Sequence, residues 1–207
     1  MVNFENLDKS MFFGVGLYSI PEIMPEDVKI DGVGFIPFNY VKTTQSRAGK
    51  AVHFFLDDYQ FTRVWNDPDR YVKPLSEFDF VLSPDFSMYT DMPRAMQIYN
   101  HYRKHWLAAY WQAHGIKVIP TICWSDADSF EWCFDGEPTH STVAVSSVGC
   151  LQQRGALDGF MAGYNEMLRR LEPERVIFYG KVPEACMAEN VVSVEPFQAR
   201  YAKMKER

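Results

Sequence analysis

Short apolar runs that stop on an aspartate or a serine recur along this chain, and several of the stretches between them carry helical spacing. That alternation restricts the fold more than any other feature of the sequence. Ala51 to Leu56 reads AVHFFL and halts at Asp57-Asp58, while Phe78 to Leu82 runs into Ser83-Pro84-Asp85, where proline ends a central ladder. Lys117 to Cys123 hands over to Trp124-Ser125-Asp126, Thr142 to Val145 to Ser146-Ser147-Val148-Gly149, and Arg175 to Phe178 to Tyr179-Gly180. Gly34 to Phe38 and Val191 to Val194 complete a set of about seven strands.

Helices are expected between them. Asp67-Pro68 and Asp91-Met92-Pro93 read as helix starts, with both aspartates as caps. The second start opens a helix with Met96, Tyr99, Tyr102, Trp106, Tyr110 and Ala113 on one face, closed by Gly115. Its other face, Arg94, Gln97, His101, Lys104 and His105, reads as a solvated surface. A later helix carries Leu157, Phe160, Met161, Tyr164, Met167, Leu168 and Leu171.

Strands alternating with helices define an α/β fold with a mostly parallel sheet, because parallel neighbours need crossover connections. A small irregular barrel-like arrangement is preferred over an open doubly wound sheet, although the chain is shorter than the ~250 residues of a complete barrel. The 207 residues, 47% hydrophobic and 15% aromatic, suit one domain over 1–207 with an irregular segment at about 1–33 and a frayed tail at about 198–207.

A net charge of −6 gives no general attraction to phosphate polymers, so nucleic acid is a less favoured partner. Cys123, Cys133, Cys150 and Cys186 form no CxxC pair, which indicates reduced thiols. Met1 to Ser10 is polar and acidic, and no apolar run approaches the ~18 residues of a membrane span, so a cytoplasmic protein without membrane association is expected.

In either architecture ligands bind where the carboxyl ends of the strands converge. Asp57, Asp85 and Asp126 are therefore the candidate catalytic residues, and Tyr89, Trp124, Ser146, Ser147 and Gly149 the candidate ligand-binding ones. Gathered carboxylates serve as acid/base or nucleophile pairs, as ligands of a divalent metal such as magnesium, or as partners of sugar hydroxyls. Capping accounts equally well for about half of them, Asp58 among them. Exposed Trp124 and Tyr89 would suit stacking on a sugar or nucleobase. The Ser146 to Gly149 turn before a helix would suit an anion, and Cys150 beside it is a weak nucleophile candidate. The stretch Ala127 to Thr142 reads as a lid. His53 reads as a core or half-buried residue, and the pair His101 and His105, with no acidic partner spaced to complete a metal site, reads as surface helix histidines.

The runs His53 to Phe61, Ser83 to Pro93, Gly115 to Pro120, Phe134 to Gly136 and Gly149-Cys150 resemble the bacterial, archaeal and viral family known as domain of unknown function 4417. The resemblance spans about Phe35 to Gly180. It departs at Thr121-Ile122-Cys123, where a basic or polar residue is expected before the tryptophan, and leaves Asp126 as the equivalent of the acidic segment that follows. It implies a home in bacteria, phages or mobile elements and transfers no catalytic role. The expected function is an enzyme or binder acting on a sugar-containing or nucleotide-like small molecule. The alternative is a non-catalytic phage or mobile-element protein that binds a host macromolecule through the Arg94 to His105 face.

Overall fold

A computed structural model describes residues 4–149 and 156–196. After a two-stranded hairpin, β1 (Gly14–Val15) and β2 (Ile20–Pro21), come β3 (Gly34–Pro37), β4 (Lys50–His53), β5 (Phe80–Leu82), β6 (Val118–Ile119), β7 (Thr142–Ser146), β8 (Arg175–Tyr179) and β9 (Val191–Val194). β3 to β6 pair in parallel in chain order, as do β7 to β9, and a parallel bridge from Thr121 to Ala144 joins the two groups. The helices are α1 (Asp58–Phe61), α2 (Arg63–Asn66), α3 (Asp69–Leu75), α4 (Arg94–Ala113) and α5 (Ala156–Leu171).

The strict alternation of side chains along each strand sorts the sheet into two faces. Phe35, Ala51, Phe80, Leu82, Ile119, Ala144, Ile177, Tyr179 and Val194, drawn from all of β3 to β9, share one buried cluster. Their alternating neighbours Ile36, Val52, Val81 and Val118 pack outward with α1 to α4, and Val143, Val145, Val176 and Phe178 pack outward with α5. One interior fed by every parallel strand makes the sheet curl in the barrel-like sense. Among the described residues β3 and β9 do not pair; a cavity of ≈ 340 Å³, lined in part by Ile30, Val33, Phe35, Val192 and Val194, lies between them.

Several elements depart from expectation. β4, β5 and β6 are shorter than their apolar runs: β4 ends at His53, β5 starts only at Phe80, and beyond Ile119 the pairing of β6 passes to the single bridge from Thr121 to Ala144. Neither Asp67 nor Asp91 caps a helix start; Asp67 instead ends α2 at its C-terminal cap. α3 and α4 follow Pro68 and Pro93 directly, and no side-chain cap is made at either start among the described residues.

The polar face of α4 is not solvated: Gln97, His101, Lys104 and His105 are all buried. The helix is covered on both sides, by the sheet and by the chain from Ala127 to Glu137. That stretch is no lid either, since Ser129, Trp132, Cys133, Phe134 and Glu137 lie inside. The expected tail at 198–207 lies outside the described residues, as does Cys150. Among the described residues no helix is long and apolar enough to cross a membrane.

Candidate functional site at the carboxyl edge of the sheet

The carboxyl edge is built on a plug of rings. His53, at the end of β4, faces inward and meets Tyr179, at the end of β8, with ring centroids 4.5 Å apart. Phe55 stacks on Tyr179 at 4.7 Å and remains half-buried, so it is the accessible member of the group. His53 Nδ1 accepts from the Phe55 amide at 3.3 Å, whereas Nε2 is buried with no hydrogen-bond partner among the described residues. Burial pushes its pKa down to about 3, so the ring stays neutral near pH 7.

Beyond β5 the chain is held rigidly. Ser83 Oγ accepts from the Thr121 amide at 2.8 Å, and Thr121 Oγ1 donates to the Ser83 carbonyl at 2.9 Å, locking the ends of β5 and β6 together. Asp85 follows at once and is half-buried. Its pKa is raised to about 7 by burial, with Asp58 adding to the rise, while Lys104 and the Cys123 thiol pull the other way. A carboxyl poised there changes protonation in the working pH range, the property an acid/base group needs. Burial also pushes the Cys123 thiol up, so it stays protonated.

Asp58, not Asp57, is the carboxylate turned toward this loop. Its oxygens accept from the Ser87 amide at 3.2 Å and from Ser87 Oγ at 2.8 Å. Asn100 Nδ2 donates to the Ser87 carbonyl at 2.6 Å, the Arg103 guanidinium lies 4.0 Å from the Phe86 ring centroid, and Gln97 Nε2 donates to the carbonyls of Tyr89 and Met92 at 3.0 Å each. The loop is thus fixed from α1 and α4, which pre-organises Asp85.

The remaining candidates are placed as follows. Asp57 is exposed at the start of α1, its carboxylate 3.4 Å from Gln60 Nε2. Asp126 precedes the turn Ala127–Glu131, accepts from the Ser129 amide at 3.1 Å, and takes both of its oxygens to Arg94 Nη2 at 2.9 and 3.0 Å. It is an ion-paired clasp between this turn and the start of α4. Tyr89 is 64% exposed. Trp124 is half-buried against α5, 5.3 Å from Phe160, and packs where a side chain on Gly163 would stand. Ser146 Oγ accepts from the Val148 amide at 3.1 Å, and Ser147 Oγ donates to the Lys181 carbonyl at 2.8 Å. Gly149 is exposed with φ 81°, and residues 150–155, between it and α5, lie outside the described residues.

Behind Asp85 lies a buried polar network. Lys104 Nζ donates to the Thr121 carbonyl at 3.0 Å and to Glu137 Oε1 at 2.5 Å, and His105 Nε2 lies 3.0 Å from the same oxygen. Burial opposes charge on both members of the Lys104 and Glu137 pair. Their mutual attraction wins, holding the carboxyl below and the ammonium above their ordinary values. None of this follows from local spacing. Glu137 stands thirty-two positions after His105 and only the fold brings them together; the one visible signal was the Phe134-Asp135-Gly136 turn, whose Gly136 has φ 76°.

Together the single-wound parallel strands and their curl define an α/β protein, with the candidate residues at the end where such folds place their sites. The chain belongs to the family described as domain of unknown function 4417, whose model matches residues 12–198. It is 39% identical over 165 residues to the Gene 1 protein of Mycobacterium phage L5, covering 80% of this chain and 72% of that one. It is 36% identical over 197 residues to the Gene 1 protein of Mycobacterium phage D29, covering 92% and 70%. No solved structure matches.

Proposed function

We propose that the chain is an enzyme acting at the carboxyl edge of the sheet on a nucleotide-like or sugar-containing small molecule, with Asp85 as the proton-transferring group. The observation that carries this reading is the half-buried Asp85 carboxyl with its pKa near 7, on a loop pinned by Asp58, Asn100 and Gln97. The accessible Phe55 of the aromatic plug supplies a flat apolar surface of the kind that bases and sugar rings stack on. Asp58 beside Asp85 gives the edge two carboxylates, which also fits a hydroxyl-bearing ligand or a magnesium ion.

A panel of nucleosides, nucleotides, sugars and magnesium in a thermal-shift assay, on wild type and Asp85→Asn, tests the reading. A ligand present at a hundred times its Kd stabilises by about 2.7 kcal/mol, which for a chain of this size raises Tm by about 5 to 10 °C. A shift in wild type that Asp85→Asn loses supports the reading. No shift with any member, or equal shifts in both proteins, overturns it.

A separate observation favours the second reading, a protein partner. The segment leading into and through the N-terminal hairpin exposes Met11, Phe13 and Leu17, the last two at 100% and 85%, and apolar side chains so exposed over one short segment mark interaction surfaces. The Arg94 to His105 face no longer serves that role, being largely buried. Co-purification with a host protein, lost in Phe13→Ser/Leu17→Ser and kept in Asp85→Asn, would favour this reading.

A further inference from the structure

His101 and His105 stand one turn apart on α4, both rings buried and their centroids 4.3 Å apart. Each commits one nitrogen to a backbone carbonyl: His101 Nε2 lies 3.1 Å from the Asp135 oxygen, and His105 Nδ1 lies 2.8 Å from the Pro21 oxygen. A carbonyl only accepts, so these nitrogens carry the hydrogens, and in a neutral ring the opposite nitrogen presents a bare lone pair.

The two lone pairs then belong to His101 Nδ1 and His105 Nε2. The first is buried with no hydrogen-bond partner among the described residues, and so is Glu137 Oε2. The second faces Glu137 Oε1 at 3.0 Å, an arrangement of two acceptors that is repulsive unless positive charge lies close to both. Ligand atoms from His101, His105 and Glu137 all lie within 4.8 Å of one another. Gly136 is what permits the approach: a side chain there would come within 2.5 Å of the Pro21 oxygen and 2.8 Å of His105 Nδ1.

We propose that His101 Nδ1, His105 Nε2 and the Glu137 carboxylate form a binding site for a transition-metal dication of the zinc class. Two imidazoles and a carboxylate suit such an ion better than magnesium, which takes oxygen ligands. The carbonyls of Asp135 and Pro21 fix the tautomer and tilt of each imidazole, as outer partners of metal-bound histidines do. Lys104 is the competing cation. Its ammonium already holds Glu137 Oε1, so it weakens the site rather than building it. Because the ligands are enclosed, loading accompanies folding.

The full chain, unfolded with chelator and refolded with zinc or cobalt(II), would be freed of loose ion and analysed for metal content and cobalt absorption. One equivalent of tightly held metal is expected, with a cobalt spectrum lacking a thiolate charge-transfer band. His101→Phe should weaken binding at least about tenfold, since outer partners alone are worth that much. It also gives up the Nε2 hydrogen bond to the Asp135 carbonyl, so its affinity is compared on protein that circular dichroism shows to be folded. Lys104→Met should keep the metal or bind it more tightly. Folded wild type without stoichiometric metal, affinity unchanged in His101→Phe, or a thiolate band would each overturn the proposal.

Discussion

Asp58 reaches from α1 across the carboxyl edge to bind Ser87, which places it where it adds to the rise that burial gives the Asp85 pKa.

That relationship makes stability depend on pH with a definite sign. Between the unfolded value near 4 and the folded value of about 7, the native state binds more protons at Asp85 than the unfolded chain, so its contribution to stability falls as pH rises through that window. Asp85→Asn removes the dependence. Its stability relative to wild type should improve by about 3 kcal/mol between pH 5 and pH 8, read from urea melts at the two pH values.

His53 works in the opposite direction. Its folded pKa of about 3 lies below the unfolded value of 6.5, so the unfolded chain binds more protons between them and stability is lost as pH falls through that interval. Lowering the pH from 7 to 4 should cost about 3 kcal/mol through this ring. A variant such as His53→Phe, if it folds, should lose that part of the acid sensitivity. An unchanged acid limb in the melts would show that the ring is reached by water.

Breaking the buried pair should be costly. Glu137→Gln leaves the Lys104 ammonium inside without its partner, and an unfolding loss of about 3 to 5 kcal/mol is expected. Lys104→Met/Glu137→Leu should recover much of it, because two apolar groups of similar volume remove both desolvation penalties. Equal losses in the single and double variants would show that the pair is not coupled.

Gly163 sits inside α5, where alanine would ordinarily help by about 1 kcal/mol. Here a Cβ would fall 2.2 Å from Trp124 Nε1, so Gly163→Ala should instead destabilise by about 1 to 3 kcal/mol and alter tryptophan fluorescence.

Much of this architecture is legible in the sequence. Runs such as Val143 to Val145 and Arg175 to Tyr179 name buried parallel strands, and their order with the helices names the α/β class. Alternation does less well at the edge, where it favoured Asp57 and left Asp58 as a helix start; the contact that turns Asp58 inward, Ser87, lies twenty-nine residues away. The face of α4 was misread for a related reason. Gln97, His101, Lys104 and His105 look like surface residues until distant carbonyls and Glu137 satisfy them, and polar residues with buried partners leave no periodic trace. Asp126 follows a strand as Asp85 does, yet Arg94 from the start of α4 claims it.

The central claim is that Asp85 is a carboxyl that exchanges its proton near neutral pH. The most direct test is a pH titration of its carboxyl carbon by ¹³C NMR, the resonance assigned by its loss in Asp85→Asn. A midpoint near 7 is expected. A midpoint near 4, the value of an ordinary exposed aspartate, would contradict the account.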